Sequence, residues 1–196
     1  SVLVGDFLYS RSFEMMVELG SMDVMGILSK ATRVIAEGEV LQLSKIRDAS
    51  TSEETYMDVI RGKTAMLFEA SSHSAAVLAG ADAEQAEALR VFGDHLGVAF
   101  QLMDDLLDYR GDAQAMGKNV GDDLAEGKPT LPLIHAMREG TPAQAELVRK
   151  AIQQGGSQDL ESIRAAVEAA GSLDYTAQLA RHYAEKAIQC LSTLPA

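Results

Sequence analysis

The chain has 196 residues, 47% of them hydrophobic, with 29 Asp and Glu against 17 Lys and Arg and a formal charge of -12. That composition suits one domain over residues 1–196, and the acid excess disfavours a nucleic-acid partner, whose phosphates call for clustered Lys and Arg. No apolar run approaches a membrane span, and Cys190 stands alone, which excludes a disulfide framework or zinc-type cluster and points to a reducing cytoplasm.

The apolar spacing is helical throughout, with no sustained two-residue alternation, so the expected class is all-α. The chain opens on Ser1 directly in a helical pattern, without a signal peptide, as expected of a piece of something longer. A first helix is predicted from about Val2 to Leu19, stopping at Gly20, and a second follows Ser21 as N-cap to about Leu43. "TSEE" at 51–54 has the form of a capping box with Thr51 as cap, opening a long helix that reaches Leu78 before Gly80. Another begins after Asp82 and contains "FQLMDDLLDY" at 100–109, followed by a glycine-rich stretch from Tyr109 to Thr130 that reads as a long functional loop. Shorter helices follow at Leu131–Glu139, after Thr141-Pro142, at 157–170, and from Ser172 to about Leu194.

The three aspartates of "DDLLD" sit in an otherwise apolar helix. At about 100° per residue, Asp104 and Asp108 lie nearly above one another, Gln101 falls close to that line, and Asp105 is roughly a quarter-turn away. A second sector holds Leu89, Phe92, Leu96, Phe100, Met103 and Leu107, while Val98, Leu102 and Leu106 make much of the rest apolar, so the helix is expected to be central with its acid face toward a cleft. Carboxylates packed this closely gain protons or recruit cations, and Mg²⁺ fits best, being held commonly by one or two carboxylates plus substrate phosphates. An isolated DDxxD is also compatible with a solvated helix end. No EF-hand spacing is present.

"GKNVGDDLAEGKPT" at 117–130 sets Lys118 and Lys128 on either side of Asp122 and Asp123, with glycines that allow tight turns or close approach to a ligand. Acid and base in one loop suggest metal and phosphate together, with a charged surface loop as the alternative. Lys63, inside "GKTAMLFEA", taken alone is best explained as a snorkelling side chain.

Together "GDFLYSR" at 5–11, "GKTAMLFE" at 62–69, "FQLMDDLLD" at 100–108 and "GKNVGDDLAEGKPTLPL" at 117–133 resemble the trans-isoprenyl diphosphate synthases, and within them the bacterial long-chain, octaprenyl-type branch. The resemblance implies the helical bundle of that family around a central cleft, incomplete here at both ends. It implies Mg²⁺ held by Asp104, Asp105 and Asp108 against an allylic diphosphate, with Asp6 bordering the metal cluster. Phe100 and Gln101 would lie along the substrate, Lys63 and Lys118 would contact the departing diphosphate, Thr64 would assist Lys63, and Asp123 and Lys128 would bracket the pocket. Asp122 carries over less directly, because the family's loop varies in length.

The implied reaction ionises the allylic diphosphate to a carbocation, which the double bond of isopentenyl diphosphate attacks before a proton is lost, as in making quinone side chains. No side-chain nucleophile is required, and His73, His95, His135 and His182 are read as structural or solvated. Phe13, Met16 and Met66 are candidates for the wall of an apolar tunnel, although core packing explains each of them more strongly. Residues 1–99 contain no DDxxD, so half of the family's metal clamp and the arginine pair after it are missing. The chain alone is accordingly expected to be inactive. A short-chain farnesyl or geranylgeranyl synthase, or a non-catalytic subunit of a heteromeric synthase, is the alternative reading. A terpene cyclase is disfavoured because its second metal motif has an Asn/Ser/Glu pattern. The family implies a homodimer.

Overall fold

The computed structural model describes residues 2–110, 121–155 and 160–194, and among these there is no strand. The helices are α1 Val2–Leu19, α2 Met22–Lys45, α3 Glu53–Ile60, α4 Met66–Leu78, α5 Ala83–Arg110, α6 Asp122–Glu126, α7 Leu131–Glu139, α8 Pro142–Gln154, α9 Leu160–Ala169 and α10 Ser172–Cys190. A π turn, Arg61–Ala65, joins α3 to α4, and a 3-10 turn, Leu191–Thr193, follows α10. No helix among the described residues is long and apolar enough to cross a membrane.

Local chemistry sets most boundaries. Ser21 accepts a hydrogen bond from Val24 N at the start of α2, and Thr141 with Gln144 closes a reciprocal capping box behind Pro142 at the start of α8. Gly20 and Gly171 take left-handed conformations at helix junctions. The cap of α3 is Ser52 rather than Thr51: Ser52 accepts from Thr55 N, while the Thr51 hydroxyl turns back to donate to Asp48 O. The expected loop from Tyr109 to Thr130 also needs correction. Residues 122–126 form the short helix α6 between two left-handed glycines, Gly121 and Gly127, which read in sequence as breakers at both ends of too few residues to show a period. The expected start of the helix at Ser157 lies outside the described residues.

α5 is central, packing along α4 on one side and α10 on the other. Two cores meet on it. Val98 and Leu102 pack with Tyr56, Met57, Ile60, Ala65, Leu131, Ile134 and Ala180. One turn further on, Leu106 and Tyr109 enter the core built by α6 to α10 around Leu124, Leu133, Val148, Ile152, Ile163 and Val167. The acid stretch lies between these anchors and is pinned from both ends. The helix is central as expected, but its second apolar sector is partly open: Leu96, Phe100, Met103 and Leu107 are exposed, Phe100 by 56%. The neighbouring helices cover the face that carries Gly93, Gly97, Val98 and Leu102, whereas among the described residues the other face is left exposed at these positions. α1 is apolar and exposed along much of its length, Val2, Leu3, Phe7 and Leu8 included, and among the described elements it touches α2 alone appreciably.

Candidate active site

α2 and the π turn cross at Gly38 and Gly62. A Cβ on Gly38 would stand 2.6 Å from Lys63 N and 2.8 Å from Gly62 C, so only glycine admits this approach. A π turn inserts one residue into the helical ladder and re-aims the side chains around it, a device found at functional sites. Here it carries Lys63 and Thr64, facing α2 and α5 respectively.

The result is a cavity of about 230 Å³ lined by Gln42 and Lys45 of α2, Thr51, Tyr56 of α3, Lys63 and Thr64, Gln101, Asp104 and Asp105 of α5, and Asp123, Lys128 and Thr130. A second cavity, of about 210 Å³, lies beyond Asp104 and is lined by Asp108, Asp122, Asp123, Glu126 and Lys128. Two loops close the rim. Arg47, at φ 62, donates its backbone N–H to Gly127 O at 2.8 Å, joining the segment after α2 to the turn that precedes Lys128.

The polar groups are paired across elements. Lys63 Nζ donates to Gln42 Oε1 at 2.6 Å and lies 3.3 Å from Glu39 Oε1. Lys128 Nζ bridges Asp123 Oδ1 at 3.0 Å and Glu126 Oε2 at 2.7 Å. Thr64 Oγ1 donates to Gln101 Oε1 at 2.9 Å, Gln101 Nε2 donates to Asp105 Oδ1 at 2.8 Å, and Tyr56 OH donates to Asp105 Oδ2 at 2.6 Å. Asp108 accepts from Asp123 N at 3.4 Å.

These carboxylates carry a cost. Desolvation pushes Asp105 up to about 7, against the lowering effect of the Tyr56 hydrogen bond and with the charge of Asp123 adding to the rise. Asp108 is likewise pushed up to about 6 by desolvation and then by Asp123, with backbone N–H groups opposing. Burial disfavours the charge on Lys128, but its hydrogen bonds to Glu126 and Asp123 outweigh this and raise its pKa. The surroundings therefore favour a cation against α5 and keep an ammonium group charged opposite it.

Of the residues singled out in the sequence, Lys63, Thr64, Gln101, Asp104, Asp105, Asp123 and Lys128 come together on the first cavity, and Asp108 and Asp122 on the adjoining one. Asp6 is exposed on α1 and lines neither. Phe100 also lines neither; it is exposed, its ring 5.4 Å from that of Phe68. Lys118 lies outside the described residues. Met16 is buried, Phe13 is half-buried, and Met66 borders a groove between α2 and α4. None of the four histidines lines the acid-bearing cavities; His135 is buried with Nδ1 3.0 Å from Ser172 Oγ. Sequence reasoning passed over Gln42, Lys45 and Tyr56. Tyr56 stands seven residues before Lys63, two turns along the same helical run, and that spacing was the available signal.

Among the described residues no group of three or more His, Cys, Asp or Glu is arranged around a common point. The acidic side chains on the two cavities offer only oxygen, and a hard cation held by one or two carboxylates completes its shell with water and ligand oxygens.

An α-helical bundle whose central helix turns a DDxxD face toward lysines on three other segments defines a class, and the chain belongs to the polyprenyl synthetase family, whose pattern it matches over residues 1–170. It is 55% identical over 196 residues to octaprenyl diphosphate synthase of Escherichia coli (strain K12), covering 100% of this chain and 61% of that protein. It is 48% identical over 195 residues to the all-trans-nonaprenyl-diphosphate synthase (geranyl-diphosphate specific) of Rhodobacter capsulatus, again covering 100% of this chain and 60% of the relative. Among solved structures, polyprenyl synthase from Caulobacter crescentus CB15, complexed with calcium and isoprenyl diphosphate, superposes with a TM-score of 0.93 at 48% identity, covering 100% of this chain and 60% of that one. The chain thus spans about three-fifths of the length of these relatives.

Proposed function

We propose that this chain carries the allylic-diphosphate site of a long-chain trans-polyprenyl diphosphate synthase of the octaprenyl type, which condenses isopentenyl diphosphate head-to-tail onto an allylic diphosphate to build a quinone side chain. The observation that carries this reading is the single cavity in which Asp104, Asp105 and Asp123 face Lys45, Lys63 and Lys128. Carboxylates alone would repel a diphosphate, and lysines alone would not explain buried acids whose proton affinity is raised. The likeness to octaprenyl and nonaprenyl synthases along the whole chain supports the same reading.

The oxygen-only donor set suits Mg²⁺, which Asp104, lining both cavities, and Asp108 on the adjoining one would hold, with Asp105 on the first cavity, Asp122 on the second and Asp123 on both. When bound, the metal neutralises charge on the diphosphate as it departs. The chain's own groups do the rest. Lys63 and Lys128 exchange their carboxylate and amide partners for phosphate oxygens, Lys118 joins them, and Thr64 donates its hydroxyl beside Lys63. Gln101 orders the middle of the wall. The carbocation left behind is attacked by the double bond of isopentenyl diphosphate, and the proton then lost goes to the released diphosphate. The same reading takes the whole protein as a cytoplasmic homodimer.

The test is to incubate the whole protein with labelled isopentenyl diphosphate, an allylic diphosphate and Mg²⁺, and to size the products. Products longer than geranylgeranyl, abolished by chelating the metal, are expected. Products no longer than geranylgeranyl would rule out the long-chain assignment.

A further inference from the structure

Tyr56 and Asp105 belong to different helices and meet at 2.6 Å in the interior, with Tyr56 5% and Asp105 3% exposed. The Tyr56 ring is part of a core with Met57, Ile60, Val98, Leu102 and Leu131. Phenylalanine would serve that packing equally well, so the hydroxyl is the feature that calls for explanation. It is one end of a chain of hydrogen bonds that converges on Asp105 from two sides. The Thr64 hydroxyl donates to Gln101 Oε1, which fixes the amide with Nε2 toward Asp105 Oδ1, and Asp105 Oδ2 accepts a hydrogen bond from the Tyr56 hydroxyl. Both oxygens of Asp105 are therefore held from within the protein. Asp104 and Asp108, by contrast, line the second, acidic cavity, which Asp105 does not reach.

We infer that Tyr56 is a positioning residue for the diphosphate site: by holding Asp105, and through Gln101 the Thr64 hydroxyl beside Lys63, it keeps α3, the π turn and α5 in the register that sets carboxylates and ammonium groups on one cavity. This rests on the proposed reading of the site. Such outer partners fix the rotamers of the groups that contact metal and substrate, and their loss weakens metal affinity rather than packing.

The experiment measures Mg²⁺-dependent binding of inorganic pyrophosphate, and turnover, in the whole protein for wild type, Tyr56→Phe, Asp105→Asn and the double variant. Tyr56→Phe should raise the half-saturating Mg²⁺ by about tenfold or more, raise KM for the allylic diphosphate more than it lowers kcat, and add nothing once Asp105→Asn is present. Thr64→Val, which cuts the chain at its other end, should shift the Mg²⁺ requirement in the same direction. A half-saturating Mg²⁺ that neither substitution changes by more than about twofold, or effects of Tyr56→Phe and Asp105→Asn that multiply, would overturn the inference. Wild type that binds no pyrophosphate at any Mg²⁺ concentration would overturn the reading of the site as well, whereas normal wild-type binding that neither Tyr56→Phe nor Thr64→Val affects overturns the inference alone.

Discussion

Asp105 shows how function sets itself against stability in a single side chain. Its pKa is raised to about 7 in the fold, by burial first, from roughly 3.9 in an unfolded chain. A carboxyl group shifted upward binds its proton more tightly when folded. The native state therefore has its full share of stability below about pH 4, and loses it as pH rises through about 7. In the absence of divalent metal, Asp105→Asn should raise the unfolding midpoint at pH 8, by an amount equivalent to a few kcal/mol at most, and leave it nearly unchanged at pH 4. Equal midpoints at pH 8 would show that the buried carboxylate carries no such penalty. The aspartates themselves were legible in the sequence because a helix of known pitch fixes their relative directions. Gln42 and Lys45 were not, because what they face depends on how α2 is set against the π turn, and that is a property of packing rather than of period.

Among the elements, the crossing of α2 with the π turn decides where Lys63 points. Gly38→Ala places a methyl group against the backbone of Gly62 and Lys63, neither of which is the yielding tip of a side chain. The substitution should lower stability by about 1–3 kcal/mol and weaken pyrophosphate binding by displacing Lys63. Gly26→Ala, on the same helix but with nothing within 4 Å of the added carbon, is the control. It should leave binding intact and stabilise by up to about 1 kcal/mol through helix propensity. Thermal unfolding and pyrophosphate titration of the two variants check both halves, and equal behaviour would remove the crossing from the account. Most helix ends were legible from caps and stop glycines, as at Ser21, Gly20 and Thr141. The π turn was hidden inside a continuous helical pattern because Arg61–Ala65 keeps helical backbone angles throughout its neighbours and contains no breaker apart from one glycine. Which face of α5 is covered was hidden for a related reason: nearly every face of it is apolar, and sequence alone does not say which face α4 and α10 will choose.

Across the whole molecule, the acid stretch sits where two cores join, and a surface network fastens the parts around it. Glu53 at the start of α3 accepts from Tyr175 OH at 2.6 Å and from Arg138 Nη1 at 2.8 Å, tying α3 to α10 and α7 at the far side of the cavity wall that Tyr56 belongs to. The all-α class and the identity of the motifs were readable from residue spacing and resemblance, whereas the division into two cores was not, since residues of both recur within a single helix. The central claim is that the α5 carboxylates hold magnesium so that the lysines opposite can take a diphosphate. Its most direct test is a Mg²⁺ titration of pyrophosphate binding to the whole protein carrying Asp104→Asn, a residue that lines both cavities. The account predicts that the half-saturating Mg²⁺ rises by about tenfold or more and that turnover falls with it; an unchanged titration with unchanged turnover would contradict it.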